Sequence, residues 1–232
     1  MDTVFGVEEV RDRIRSAIMD GSLAPGTLMP QGPLARQLGI SRTPMREALR
    51  MLQEEGLVEI ERNRRARVAD FNADDFEQVY ATRILLSATA TLMTVPRMTD
   101  ADVADLRATF EDMRIASAAD DSVAWRVADR RFHRLHLSKA SPSLLRELDA
   151  LFDRAALFRL LRLKDQPHRQ TVIAGDHEAV VAACEARDGS EAAVSVARHL
   201  SRVALTLLAR TNPDHDPSTI RAALNIVTAL QR

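Results

Sequence analysis

The segment LVEIERNRRARVAD, residues 57–70, breaks a helical pattern that otherwise runs the length of the chain. It holds two short runs rich in Val and Ile around a polar tip at residues 62–65, the pattern of a β-hairpin. Before it, Val7, Val10, Ile14 and Ile18 recur at spacings of three and four, as one face of a helix requires. After Phe71 the pattern is helical to the end, beginning with FNADDFEQVYATRILLSATATLMT, for which Asn72 or Asp74 can serve as cap. The expected fold is therefore mainly α: a small N-terminal domain over residues 1–70 that closes with a hairpin, then an all-α bundle over residues 71–232. At 232 residues, 46% of them hydrophobic, the chain can build a core in each.

The order helix, short helix, tight turn, helix, hairpin is that of a winged helix-turn-helix. Gly39 supplies the turn, and the helix after it starts at ISRTPMREALRMLQEEG, with Ser41 or Thr43 as cap and Gly56 as stop. Such a second helix enters the DNA major groove by its N-terminal residues, here Arg42, Thr43 and Arg46, with Arg50 one turn on. Arginine can bridge guanine O6 and N7 or hold phosphate. The Ser41 and Thr43 hydroxyls and the helix's first amides suit phosphate. At the hairpin tip Arg62, Arg64 and Arg65 can reach the backbone or the adjacent minor groove. Net charge over the whole chain is only −1, so a basic surface must be local. Between Arg36 and Arg67 eight arginines stand against five acids, which fall mostly late in the helix and are expected to face away from DNA.

The run LAPGTLMPQGPLARQLGISRTPMREALRMLQEEGLVEIERNRRARVAD resembles the winged-helix domain of GntR-family transcriptional regulators. The PG, the LA…LG spacing, SRTPMREAL, L…EGLVE and the N…ARV wing match in order, over roughly residues 7–70. The resemblance implies a double-stranded DNA operator as partner and DNA contact by Arg42, Thr43 and Arg46. Two positions depart from the family pattern: Gly32 replaces an arginine common before the LA, and Arg65 replaces a wing-tip glycine.

In VADRRFHRLHLSK, residues 127–139, Asp129, His133 and His136 follow each other at four and three, one row on a helix. Such a row is a metal site, a catalytic site or a polar patch between helices. His177 precedes Val180, Val181 and Cys184, and His199 lies between Val196 and Val203, so both imidazoles sit on apolar faces and need partners. Three imidazoles and a carboxylate from three helices suit Zn²⁺ first, or Ni²⁺, Mn²⁺ or Fe²⁺.

Beyond the hairpin, over roughly residues 74–210, the chain is similar to the FCD effector domain that accompanies this DNA-binding domain in one GntR branch. The matching motifs are the arginine at 83, DRRFH at 129–133, DH at 176–177 and ARH at 197–199. The resemblance implies Asp129, His133, His177 and His199 as metal ligands and a small organic acid as effector. Arg83 is the first candidate to clamp that acid and Arg154 the second, while His136, at a position usually apolar in the family, lines the pocket or is a satisfied core group. Ser87 and Pro142 also depart from the family pattern.

The leading function is thus a ligand-controlled transcriptional regulator, expected to repress, and expected to act as a homodimer on a palindromic operator. Two alternatives stand beside it: a regulator for which the metal is itself the signal, and a metal-dependent hydrolase, disfavoured because no HExxH and no placed general base accompany the ligands. The single cysteine, Cys184, reads as core and fits a reducing compartment. With no signal peptide and no long uninterrupted apolar run, the expectation is a cytoplasmic protein with no membrane partner. His168 and His215 read as surface residues near prolines, and the stripe Ile220, Ala223, Leu224, Val227, Leu230 in the tail must dock on the bundle or across a dimer.

Overall fold

The computed structural model describes residues 6–37, 39–60, 65–70, 72–163 and 170–229. The chain divides into two compact units, Met1–Phe76 with Ala150–Lys164, and Glu77–Asp149 with Asp165–Arg232.

In the first unit, α1 (Val7–Met19) buries Val10, Ile14 and Ile18, the face its spacing requires. Strand β1 (Leu28–Pro30) leads into α2 (Gln31–Gln37), and Gly39, at φ 66°, makes the left-handed turn into α3 (Arg42–Glu54). Helix α3 buries Met45, Ala48, Leu49 and Leu52. Strands β2 (Val58–Ile60) and β3 (Arg65–Val68) pair antiparallel, Val58 opposite Val68, as the hairpin reading expects. The sheet has a third strand that this reading lacks: β1 pairs with β3, Leu28 opposite Arg67, giving the order β1-β3-β2. The β1 residues Leu28, Met29 and Pro30 show no polar–apolar alternation in the sequence, though Met29 alone is buried, and proline is tolerated there because β1 is an edge strand.

The core of this unit joins Val10, Ile14, Met29, Met45, Leu49, Leu52, Ala66 and Val68 to Leu157, from the second half of α7 (Pro142–Leu163). Arg15 forms an ion pair with Asp153 of the same helix.

The second unit is helical: most of α4 (Ala73–Thr94), a 3-10 turn (Val95–Arg97), α5 (Asp100–Ala118), α6 (Ser122–Leu135), the start of α7, α8 (Gln170–Glu185), α9 (Gly189–Thr211) and α10 (Ser218–Thr228). Side chains fix the starts. The Thr99 hydroxyl and Asp102 carboxylate form a capping box at α5. The Asp121 carboxylate accepts from the amides of Val123 and Ala124, and Asp188 accepts from that of Glu191. Asn72 accepts from Asp75 N at 2.9 Å and is the cap of α4.

Helix α9 is apolar and long enough to cross a membrane by length and composition, but 67% of that stretch is buried within the protein, as in a core helix. The tail docks on the chain's own bundle, with Ile220, Ala223 and Val227 buried and α10 packed on α9. Glu77 of α4 holds its start, accepting from Thr219 N at 2.6 Å and from Ile220 N at 3.3 Å, with His215 Nε2 at 2.8 Å. His215 is therefore half-buried and partnered, contrary to its surface reading. His168 lies outside the described residues.

Candidate nucleic-acid interface and metal centre

Helix α3 is amphipathic. Opposite its buried face, Arg42, Thr43, Arg46 and Arg50 are exposed in one run, with Ser41 exposed at the N-cap. The Ser41 hydroxyl makes no capping bond, so it does not close off the first-turn amides that the cap reading assigned to it. The late acids do not all face away from the arginines. Arg50 lies 3.3 Å from Glu47 and 2.8 Å from Glu54, because residues three and four apart share a helix side, and Arg46 lies 3.6 Å from its chain neighbour Glu47. Exposed pairs of this kind hold weakly, so the guanidiniums remain exchangeable toward phosphate. Arg65 opens β3 and is exposed. Arg62 and Arg64 lie outside the described residues.

The helical unit brings Asp129 and His133 (α6), His177 (α8) and His199 (α9) together, all 5% exposed or less. Each of the three histidines can bring one ring nitrogen to within 4.8 Å of the others. Asp129 Oδ1 is 3.5 Å from His133 Nε2 and 3.7 Å from His177 Nε2. The His133 and His199 rings stack with centroids 5.3 Å apart, and those of His177 and His199 are 4.3 Å apart. Burial lowers His133 to about 4, against the partial opposing pull of Asp129, and it lowers His199 to about 4 against Asp176. Both rings are thus neutral at pH 7, the state in which imidazole offers a lone pair. A buried set of three imidazoles, two of them held neutral by burial, with a carboxylate beside them fits a divalent transition metal.

Arg83 is 3% exposed, its guanidinium 5.9 Å from the Tyr80 ring centroid, and its charge is felt at His133. It is therefore buried beside the histidines rather than solvated. Arg154 is engaged elsewhere. Its guanidinium donates to both oxygens of Asp75 at 2.7 and 2.9 Å and lies against Gly56, all within the N-terminal unit, so the structure does not join it to the histidine set. A helical pattern shows that a face is used but not by which neighbour.

Sequence reasoning missed Asp176 and Thr91. Asp176 Oδ2 faces His199 Nδ1 at 3.6 Å, and Arg202 Nη2 lies 3.1 Å from its other oxygen. Burial pushes this carboxyl up, but His199 and Arg202 outweigh it and leave the group below its usual range. The adjacency of Asp176 to His177 was visible, but its pairing with the His199 and Arg202 side chains was not. Thr91 Oγ1 lies 3.0 Å from His136 Nδ1, and His136 is fully buried.

Compared with known proteins, residues 7–68 match the family described as bacterial regulatory proteins, gntR family, and residues 78–202 match the FCD domain. The chain belongs to the GntR family, FCD branch. An HTH-type transcriptional regulator of Agrobacterium vitis, from the TAR-I ttuE-ttuC' intergenic region, is 37% identical over 123 residues, covering 52% of this chain and 72% of that one. The gluconate operon transcriptional repressor of Bacillus subtilis is 25% identical over 180 residues, covering 75% and 74%. The solved structure of Escherichia coli McbR/YncC superposes with a TM-score of 0.78 at 22% identity, covering 90% of this chain and all of that one, and so supports the fold. This GntR-family chain is a DNA-binding transcriptional regulator, and its family and relatives are regulators rather than enzymes.

Proposed function

We propose that this regulator is a cytoplasmic repressor that binds a palindromic operator as a homodimer and releases or grips it in response to a small carboxylate held in the helical unit. The observation that carries the reading is the buried convergence of His133, His177 and His199 within 4.8 Å, with Asp129 beside two of them. Nothing in a core's need for packing explains three buried imidazoles and a carboxylate in one place. These four residues would hold a divalent metal, zinc first among the candidates. A bound ion with open positions would supply Lewis acidity toward an anionic ligand. Arg83, buried near His133, would pair with the same ligand by charge-assisted hydrogen bonds. The relative named for a gluconate operon supports an acid of this class, gluconate being a carboxylate.

On the DNA side, Arg42 and Arg46 would read or clamp the operator, with Thr43, Ser41, Arg50 and Arg65 on the backbone. Ligand control requires that the acid bind one state of the protein better than the other, and the coupling is then reciprocal with operator binding. The test is fluorescence anisotropy on operator DNA with zinc-loaded protein and a panel of small carboxylates. A carboxylate that shifts operator affinity only when metal is present supports the reading, and metal-free protein responding equally well overturns the role of the metal. An operator response to metal alone, with no carboxylate effect, would favour the metal as signal.

A further inference from the structure

His136 is used by neither reading above, yet it is fully buried at the C-cap of α6 and touches the site on one side only. Its Nε2 is 3.3 Å from His133 Nδ1, and its Nδ1 is 3.0 Å from Oγ1 of Thr91, itself fully buried on α4. Phe132 packs edge-on against the His133, His136 and His177 rings, with centroids 5.9, 5.9 and 4.9 Å away.

The polarity of this row follows from which nitrogen must stay open. His133 Nε2 is the atom that faces Asp129 Oδ1, the same oxygen that His177 Nε2 approaches. For Nε2 to offer a lone pair, the His133 proton must sit on Nδ1, and in a dry interior that N–H needs an acceptor. His136 Nε2 is in reach and can accept only if the His136 proton sits on Nδ1, from which it donates to Thr91 Oγ1. The row therefore runs one way, from His133 to His136 to Thr91. Both His136 nitrogens are spent in it, so His136 is not a further ligand.

We propose that His136 and Thr91 form a positioning pair that holds His133 in the Nδ1–H tautomer with Nε2 turned to the metal. The proposal rests on the metal reading above. Partners of this kind orient a ligating imidazole and raise its basicity, and their loss typically costs about 10–100-fold in metal affinity.

The experiment is zinc affinity of the full chain by competition with a chromophoric chelator, alongside melting of each metal-free protein. His136→Leu keeps bulk but removes the acceptor, and a drop of about 10–100-fold is expected. His136→Gln restores an amide oxygen near the Nε2 position and is expected to recover most of that loss. Thr91→Val keeps shape, touches no proposed ligand directly, and removes the acceptor that fixes the His136 tautomer. A drop of at least about threefold with unchanged metal-free melting is expected for it.

Should His136→Leu fail to fold, Thr91→Val decides alone. Wild-type affinity in Thr91→Val, or a Gln variant as weak as the Leu variant, overturns the positioning role and leaves only packing. A wild-type chain that takes up no divalent ion overturns the metal reading and this inference with it. Loss of zinc in His177→Ala alongside full retention in both His136 variants overturns the inference alone.

Discussion

Asp129 and His133, one turn apart on α6, bring Oδ1 and Nε2 to 3.5 Å inside a site where both residues are at most 5% exposed. A carboxylate and a neutral ring so placed gain little from each other alone, since an uncharged imidazole gives no ion pair. They gain much from a shared cation. Zinc is therefore expected to stabilise the protein by mass action, about 2.7 kcal/mol at a hundredfold excess over Kd. For a chain of this size that is a rise of about 5–10 °C in Tm, reversed by chelator. Asp129→Ala and His177→Ala should each abolish the rise, as scanning fluorimetry with and without zinc would show. A zinc-induced shift preserved in His177→Ala would remove that residue from the site.

Arg46 is exposed on the open face of α3, with Glu47 at 3.6 Å. Arg46→Ala is expected to weaken operator binding by about 1–3 kcal/mol and to relax preference at one base position. Arg50 is held by Glu47 and Glu54, so part of any phosphate contact is offset by breaking those pairs. Arg50→Ala should cost less than Arg46→Ala and act evenly across sequences, with a shallower dependence on salt. Anisotropy titrations at several salt concentrations separate the two, and an Arg46→Ala chain with full operator affinity would remove the assigned role of α3.

Much of this was legible in the sequence because it depends on local period. The inward faces of His177 and His199 follow from their spacing to Val180 and Val203, and the wing from its alternating Val and Ile. What escaped depends on which neighbour a face meets. Strand β1 is too short to show a period. Leu157 and Arg154 fit any amphipathic helix, and only the fold puts one in the winged-helix core and the other on Asp75. Thr91 and His136 are 45 positions apart, so no pattern could join them.

Gly56 combines a φ of +73° with Arg154 packed so close that an added Cβ would meet its Nε at 2.7 Å. Gly56→Ala is expected to cost about 1–3 kcal/mol, from backbone strain and from displacing the guanidinium that grips Asp75. Arg154→Ala in the same background should recover the steric part, which a double-mutant cycle of denaturation midpoints would read as non-additivity.

Acid should act on the protein in two separable steps. Glu77 of α4, which accepts from the first amides of α10, is pushed up by burial, but His215 and the Thr219 and Ile220 amides more than compensate and hold it below its ordinary 4.5. Its contribution is present above pH 4.5 and is lost as pH falls through the lower folded value. The histidines respond sooner. His133 and His199 stand at about 4 in the fold against 6.5 outside it, so below pH 6.5 the unfolded chain binds more protons than the folded one. Stability of the metal-free protein is therefore full above about pH 6.5 and drains as pH falls toward 4. Tm of stripped protein should fall between pH 7 and 5 with α10 still protected in hydrogen exchange. Protection of residues 219–228 should fail only below pH 4.5, and in Glu77→Ala it should be weak at every pH, by about 1–3 kcal/mol for the lost buried acceptor. A Tm flat from pH 7 to 5 would contradict the burial of neutral imidazoles on which the metal reading depends.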